Sequence, residues 1–138
     1  MTTEYITGIW LAKFESETEL KDYLELKYFD GEDNPKSSFA SDINLDFFDT
    51  DFLECAFVGT SLNIPPELNN FSFVELFKDK LTTNLNSVNF SGKNSIISLS
   101  GKKNGNESIN DSLFADFRST VEKDYLQFIG LFRFSDSA

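Results

Sequence analysis

An alternation of apolar and polar residues opens the chain. Over Tyr5–Phe14, the side chains of Ile6, Trp10, Ala12 and Phe14 fall on one side of a two-residue period, with Thr7 and Lys13 on the other, which predicts a strand. The period then changes. Ser16 as N-cap with Glu19 three residues on forms a capping box. The helix it opens repeats Leu20, Tyr23, Leu24 and Tyr28 as an apolar stripe. DGEDNPKSS, residues 30–38, reads as a loop, because Pro35 bars a helix through it. A short helix is expected over Phe39–Leu45. FLECAFVG, residues 52–59, reads as a strand with Leu53, Cys55 and Phe57 inward and Glu54 and Ala56 outward.

NIPPELNN, residues 63–70, is expected as a second loop. Ser72 and Glu75 then make a second capping box, opening a helix whose inward stripe is Phe73, Leu76, Phe77 and Leu81. From Asn84 to Ser112, 14 of 29 residues are Asn or Ser. Inside that tract only SIISLS, residues 95–100, reads as a strand, with GKKNGN as the turn after it. The remainder of 84–112 is expected to be a mobile loop. YLQFIGLFRF closes the pattern, with Leu126, Phe128, Phe132 and Phe134 on one face and Ile129 and Leu131 on the other. Apolar character on both faces predicts a central strand.

No internal repeat and no linker divides the chain, so residues 1–138 are expected to form a single domain. The order of elements implies an α+β fold: a mostly antiparallel sheet of about four strands with helices packed on a face of it. A chain of 138 residues builds such a core without disulfide or metal staples.

Charge changes the picture. The net charge is −11, and residues 15–54 alone carry 13 acids against Lys21, Lys27 and Lys36. The other 98 residues are nearly balanced. Charge concentrated in this way repels phosphate backbones and anionic lipid, and it steers a basic partner inward. Neither a nucleic acid nor a membrane is therefore an expected partner. The N-terminal MTTEYITGIWLAKF has no basic region before its interrupted apolar run, which matches neither a signal peptide nor a membrane span. A cytoplasmic protein is expected.

Candidate chemistry is sparse. The chain has no His, which removes Ser-His-Asp and Cys-His nucleophile systems and nearly all zinc sites. Its single Cys55 excludes an internal disulfide and is expected to be a buried, inert thiol on a strand. SGKNS, residues 91–95, lacks the upstream glycine of a phosphate-binding loop, since position 87 is Ser87. An EF-hand loop begun at Asp30 would place Pro35 where glycine is required. Asp46, Asp49 and Asp51 could take a hard cation adventitiously, and two carboxylates could meet as in a hydrolase, but no spacing supports either. NFS, NES and NDS match glycosylation acceptors, which a chain without a signal does not present to that machinery. No cofactor, metal or catalytic residue is expected.

What remains is LDFFDTDFLE, residues 45–54, which sets four carboxylates among large apolar side chains with no basic residue. Part of it must anchor the segment in the core. Neighbours in extended chain point to opposite faces, so one of Phe47 and Phe48 is expected to turn inward. The rest is the mixture that tight interfaces with basic partners use: aromatic anchors for desolvated contact, carboxylates for orientation and fast encounter.

Three stretches, ITGIWLAKFESETELKDYLEL, SSFASDINLDFFDTDFLECAF and FIGLFRF, together resemble the bacterial immunity protein 22 family, formerly a domain of unknown function. The central stretch is the most specific of them. The family pattern favours glycine two residues after the strand tryptophan, where this chain has Ala12. The resemblance implies a non-catalytic protein that neutralises a cognate toxin of a polymorphic toxin system by occluding it. Glu32, Asp33, Asp46, Phe47, Phe48, Asp49, Asp51 and Glu54 are the expected partner contacts. An acidic adaptor for another basic protein, or a carboxylate- or metal-dependent hydrolase, are the alternatives that the residues leave open.

Overall fold

In the computed structural model, residues 2–27, 37–45, 48–104, 107–110, 113–114 and 123–137 are described. Strand β1, Thr2–Ala12, runs through the middle of the sheet and is buried on both faces. On the front, Ile6, Trp10 and Ala12 enter one core; on the back, Ile9 and Leu11 enter another. Two cores need two covers, so the helices are divided between the faces instead of gathered on one as expected. Helices α1, Glu17–Leu24, and α2, Ser38–Asp42, close the front. Helices α3, Ile64–Leu68, and α4, Val74–Asn86, close the back.

The remaining strands are β2, Leu53–Phe57; β3, Ser95–Asn104; β4, Glu107–Ile109; and β5, Leu126–Ser137. All pairings are antiparallel, in the order β2-β3-β1-β5, with β4 also on β3. The single α+β sheet thus has five strands, against about four expected. β5 is an edge and not the central strand that its apolar faces suggested. It is covered on both sides all the same: Leu126, Phe128 and Leu131 lie against the front core, and Ile129, Phe132 and Phe134 against the back.

A bulge explains why simple alternation misassigned those faces. Ile9 pairs with Gly130 and Trp10 with Phe128, leaving Ile129 as the extra residue. One inserted residue reverses the facing of everything beyond it. The site demands glycine, because a Cβ on Gly130 would stand 2.7 Å from the Asn84 side-chain nitrogen, which donates to the Ile129 carbonyl at 3.0 Å. α4 is thereby fastened to the bulge.

Local signals decide the ends of the helices. Ser16 caps α1, its hydroxyl accepting from the Glu19 amide at 3.2 Å, as the capping box requires. The second box does not form. α4 begins at Val74 after Phe73 at φ 70°, with no side-chain cap, and its buried stripe is Val74, Phe77, Leu81 and Leu85. Leu76, expected inward, is 59% exposed. Phe73 turns instead to Tyr5 and Phe134, with centroids 4.8 and 5.2 Å away. NIPPELNN is no simple loop: Pro65 and Pro66 occupy the first turn of α3, where their missing amides cost nothing.

The Asn/Ser-rich tract holds more regular structure than the one short strand expected, with α4 running to Asn86, β3 to Asn104 and β4 after it. Asn94 accepts from the Phe14 amide at 3.0 Å and donates to the Phe14 carbonyl at 2.6 Å, tying the entry of β3 to the exit of β1. Across these strands Thr7 and Ser100 hydroxyls share a buried hydrogen bond of 2.8 Å.

Packing on β1 is tight enough to test. A Cβ on Gly8 would lie 2.5 and 2.7 Å from ring carbons of Trp10, whose indole folds back across it. The indole is pinned by Phe39 edge-on at 5.1 Å and by Phe128 at 5.4 Å, so it has nowhere to retreat. Gly8→Ala is expected to destabilise the fold by about 1–3 kcal/mol, the usual cost of overpacking, read as a lower urea midpoint at unchanged slope.

Candidate binding surface

Among the described residues, the acidic third of the chain is anchored by aromatic side chains and leaves its carboxylates outside the core. Phe48 is 1% exposed and packs edge-on against Phe39 at 5.9 Å. It is therefore a core residue, with almost no surface to offer a partner. The next residue turns out. The Asp49 amide donates to Asn110 Oδ1 at 2.7 Å, and Asn110 Nδ2 in turn donates to the Ser100 carbonyl at 2.7 Å, so the segment is laced to β3. Asp49 Oδ1 then accepts from the Asp51 amide at 2.9 Å, capping a single 3-10 turn, Thr50–Phe52, that leads into β2. Asp51 projects into solvent.

Glu54 goes elsewhere. It alternates with Leu53 along β2, and its Oε1 accepts from the Ser72 amide at 3.2 Å on the connection to α4. It thus belongs to the back of the sheet, away from the acids of α1. Asp46, Phe47, Glu32 and Asp33 lie outside the described residues. Of the eight expected contacts, Asp49 and Asp51 are the two that the described surface brings together. Cys55, expected inward, is exposed on edge strand β2, near Lys21 and Glu17 of α1. Partial burial still raises its thiol pKa; Lys21 opposes that shift and Glu17 adds to it.

Sequence reasoning passed over Asp42. At the end of α2, its Oδ2 accepts two phenolic hydrogen bonds, from Tyr23 of α1 at 2.8 Å and from Tyr125, just before β5, at 2.6 Å. Three elements far apart in sequence meet on one oxygen. Oδ1 of the same carboxylate has no hydrogen-bond partner among the described residues. Phe14 completes an aromatic cluster, 5.0 Å from Tyr23 and 6.4 Å from Tyr125. Around them opens a shallow cleft of about 560 Å³, whose rim carries Lys13, Glu19, Ser38 and Ser41. The one signal for it in the sequence was Tyr23 in the helical stripe. The pairing of Asp42 with Tyr125 spans 83 residues and leaves no local mark.

The electrostatics of the front are one-sided. On α1, Glu17 pairs with Lys21 at 3.2 Å, and beyond it Lys27 pairs with Glu25 at 3.8 Å, both in solvent where such pairs contribute little. Glu19, Asp22 and Asp51 have no ion pair among the described residues. Among those residues no group of three or more His, Cys, Asp or Glu side chains is placed to hold a metal ion, and no helix is long and apolar enough to cross a membrane.

The model of the family described as Immunity protein 22 matches residues 7–135. The chain belongs to the Immunity protein 22 family. Comparison with curated proteins and with solved structures gave no match. The family match runs from within β1 to within β5 and takes in, among the described residues, β2, β3, β4 and the four helices. It therefore includes both the carboxylates at 49–51 and the Asp42 cleft of this Immunity protein 22 member.

The cleft titrates in a distinctive way. Burial, the hydrogen bond to Asp42 and the charge of Asp42 together push the Tyr125 phenol up to about 12. Tyr23 is driven further in the same direction, first by burial. A phenol whose folded pKa lies above its unfolded value stabilises the fold, and that contribution is complete below about pH 10. It is lost as pH rises from there toward 12. Phenolate absorbance at 295 nm is therefore expected to show one tyrosine ionising near pH 12, and Asp42→Asn is expected to move that step toward pH 10.

Proposed function

We propose that this protein binds a cognate toxin in the cytoplasm of the cell that makes it, and blocks the toxin by covering its active site or substrate channel. The observation that carries this reading is the membership of residues 7–135 in the Immunity protein 22 family. The concentration of charge in residues 15–54 supports it independently. Such an inhibitor needs no catalytic group of its own. Its task is to arrive fast and leave slowly: long-range charge raises the encounter rate, and desolvated contacts set the dissociation rate.

The acids that would serve encounter are Glu17, Glu19 and Asp22 of α1 with Asp49 and Asp51 of the turn before β2. A basic toxin, built to hold phosphates or another anionic substrate, would meet in them a substitute for that substrate. Glu54 contributes less, because it is turned to the back and engaged with the Ser72 amide. Phe48 acts from within, by holding the 49–51 turn in place against Phe39.

The test is rescue. The product of the neighbouring gene is expected to kill a bacterium when expressed alone and to be harmless when this protein is co-expressed. Killing without rescue by this protein would overturn the pairing. With the toxin in hand, Asp49→Lys combined with Asp51→Lys is expected to slow association about 10-fold or more at low salt, while the urea midpoint falls only by the loss of the Asp49 cap, about 1 kcal/mol. An unchanged rate would assign those carboxylates to solubility.

A further inference from the structure

The cleft between α1, α2 and the start of β5 has a composition that selects its occupant, and we propose that it receives an arginine side chain projecting from the toxin. The inference rests on the immunity reading for the identity of the partner, but not for the chemistry of the site. Tyr125, half-buried at the cleft, packs with the buried rings of Phe14 and Tyr23 at centroid separations of 5.0 to 6.4 Å, and is the ring that offers a face to an occupant. Such faces attract cations, and flat delocalised ones stack on them as well.

The polar lining points the same way. Asp42 Oδ2 is saturated by two hydroxyl donors, while Oδ1 has no partner among the described residues. Glu19 adds a second carboxylate, and the Ser38 and Ser41 hydroxyls add lone pairs. The lining is therefore rich in acceptors and holds one cationic donor, Lys13. Arginine presents five N–H donors in a planar fork and stays charged, whereas lysine presents a compact point charge that prefers water. A guanidinium can place one edge on Asp42 Oδ1 and its face on the half-buried Tyr125 ring.

Lys13 is an exposed side chain with no hydrogen bond or ion pair among the described residues, while its amide donates to the Tyr125 carbonyl at 2.9 Å. Its ammonium can swing into solvent when a second cation arrives. Removing it, as in Lys13→Gln, should tighten binding. The cavity of about 560 Å³ exceeds the needs of one side chain, which leaves room for the partner backbone that carries it. The other large depression, about 440 Å³ between α3 and α4, is lined by Pro66, Leu68, Leu81, Leu85 and Phe90 and offers no carboxylate to a cation.

The probe is N-acetyl-arginine amide, titrated into the isotopically labelled protein and followed by amide chemical shifts. Saturable shifts are expected at Ser41, Asp42 and Tyr125, at least tenfold weaker for the neutral isostere N-acetyl-citrulline amide. The lysine analogue is expected to fall between them. Asp42→Asn keeps an acceptor oxygen for the two phenols and removes the charge, so it should fold with wild-type circular dichroism and lose arginine binding about tenfold. Equal shifts from arginine and citrulline, or shifts confined to other surfaces, would overturn the site. In the toxin complex the same Asp42→Asn variant should raise the dissociation rate about tenfold, and an unchanged rate would overturn the toxin arginine as occupant. Arginine binding in a protein that gives no rescue would uphold the cleft and refute the immunity reading. Rescue by a protein whose cleft ignores arginine would do the reverse.

Discussion

Burial of β1 from both sides is the constraint from which the rest follows. A strand that carries Ile6, Trp10 and Ala12 on one face and Ile9 and Leu11 on the other cannot lie at a surface. It needs a neighbour on each edge, which β3 and β5 supply, and a layer on each face, which two pairs of helices supply. Trp10 is the largest fully buried side chain, and its indole is accommodated because position 8 is glycine. The abundance of phenylalanine has the same origin. Phe39, Phe48 and Phe128 fill the front around Trp10, while Phe77 stacks on Phe132 at 4.8 Å behind.

With both cores apolar, the acids are driven to the periphery, and the way they are held there is set by asparagine. Asn94 joins the end of β1 to the start of β3, Asn84 fastens α4 to the bulge in β5, and Asn110 fixes the turn carrying Asp49 and Asp51. An amide can donate and accept at once, so Asn94 and Asn110 each satisfy two backbone groups where regular pairing stops, and Asn84 satisfies one. A polar tract that composition marks as loose thus supplies the joints of the sheet. Surface carboxylates held on such joints are preorganised, and a preorganised surface loses less entropy on binding.

The fold was legible where one local rule governed. Ser16 with Glu19, the alternation through β1 and the apolar run of β5 each point to the element that forms. It was illegible where tertiary contacts overrode local preference. Ser72 with Glu75 matches a capping box, yet the chain turns left-handed at Phe73 so that this ring can reach Tyr5 and Phe134. The faces of β5 were misassigned because nothing near Ile129 announces the extra residue opposite Ile9 and Trp10. The candidate site divides similarly. Asp49 and Asp51 are conspicuous in sequence because acids cluster there, while Asp42 becomes meaningful only when α1, α2 and residue 125 converge on its oxygen.

The proposed function draws on this division between an apolar, two-sided core and an acidic rim with one aromatic cleft. Under that proposal, long-range charge is what brings a basic partner to the protein, and the desolvated contacts then made decide how long it stays. The most direct measurement is the association rate with a toxin identified by the rescue test, taken across a range of sodium chloride concentrations. The account predicts a fall of roughly 100-fold in association rate from low to high salt, with a dissociation rate that barely moves. An association rate indifferent to salt would contradict it, because the charge of residues 15–54 would then play no part in capture.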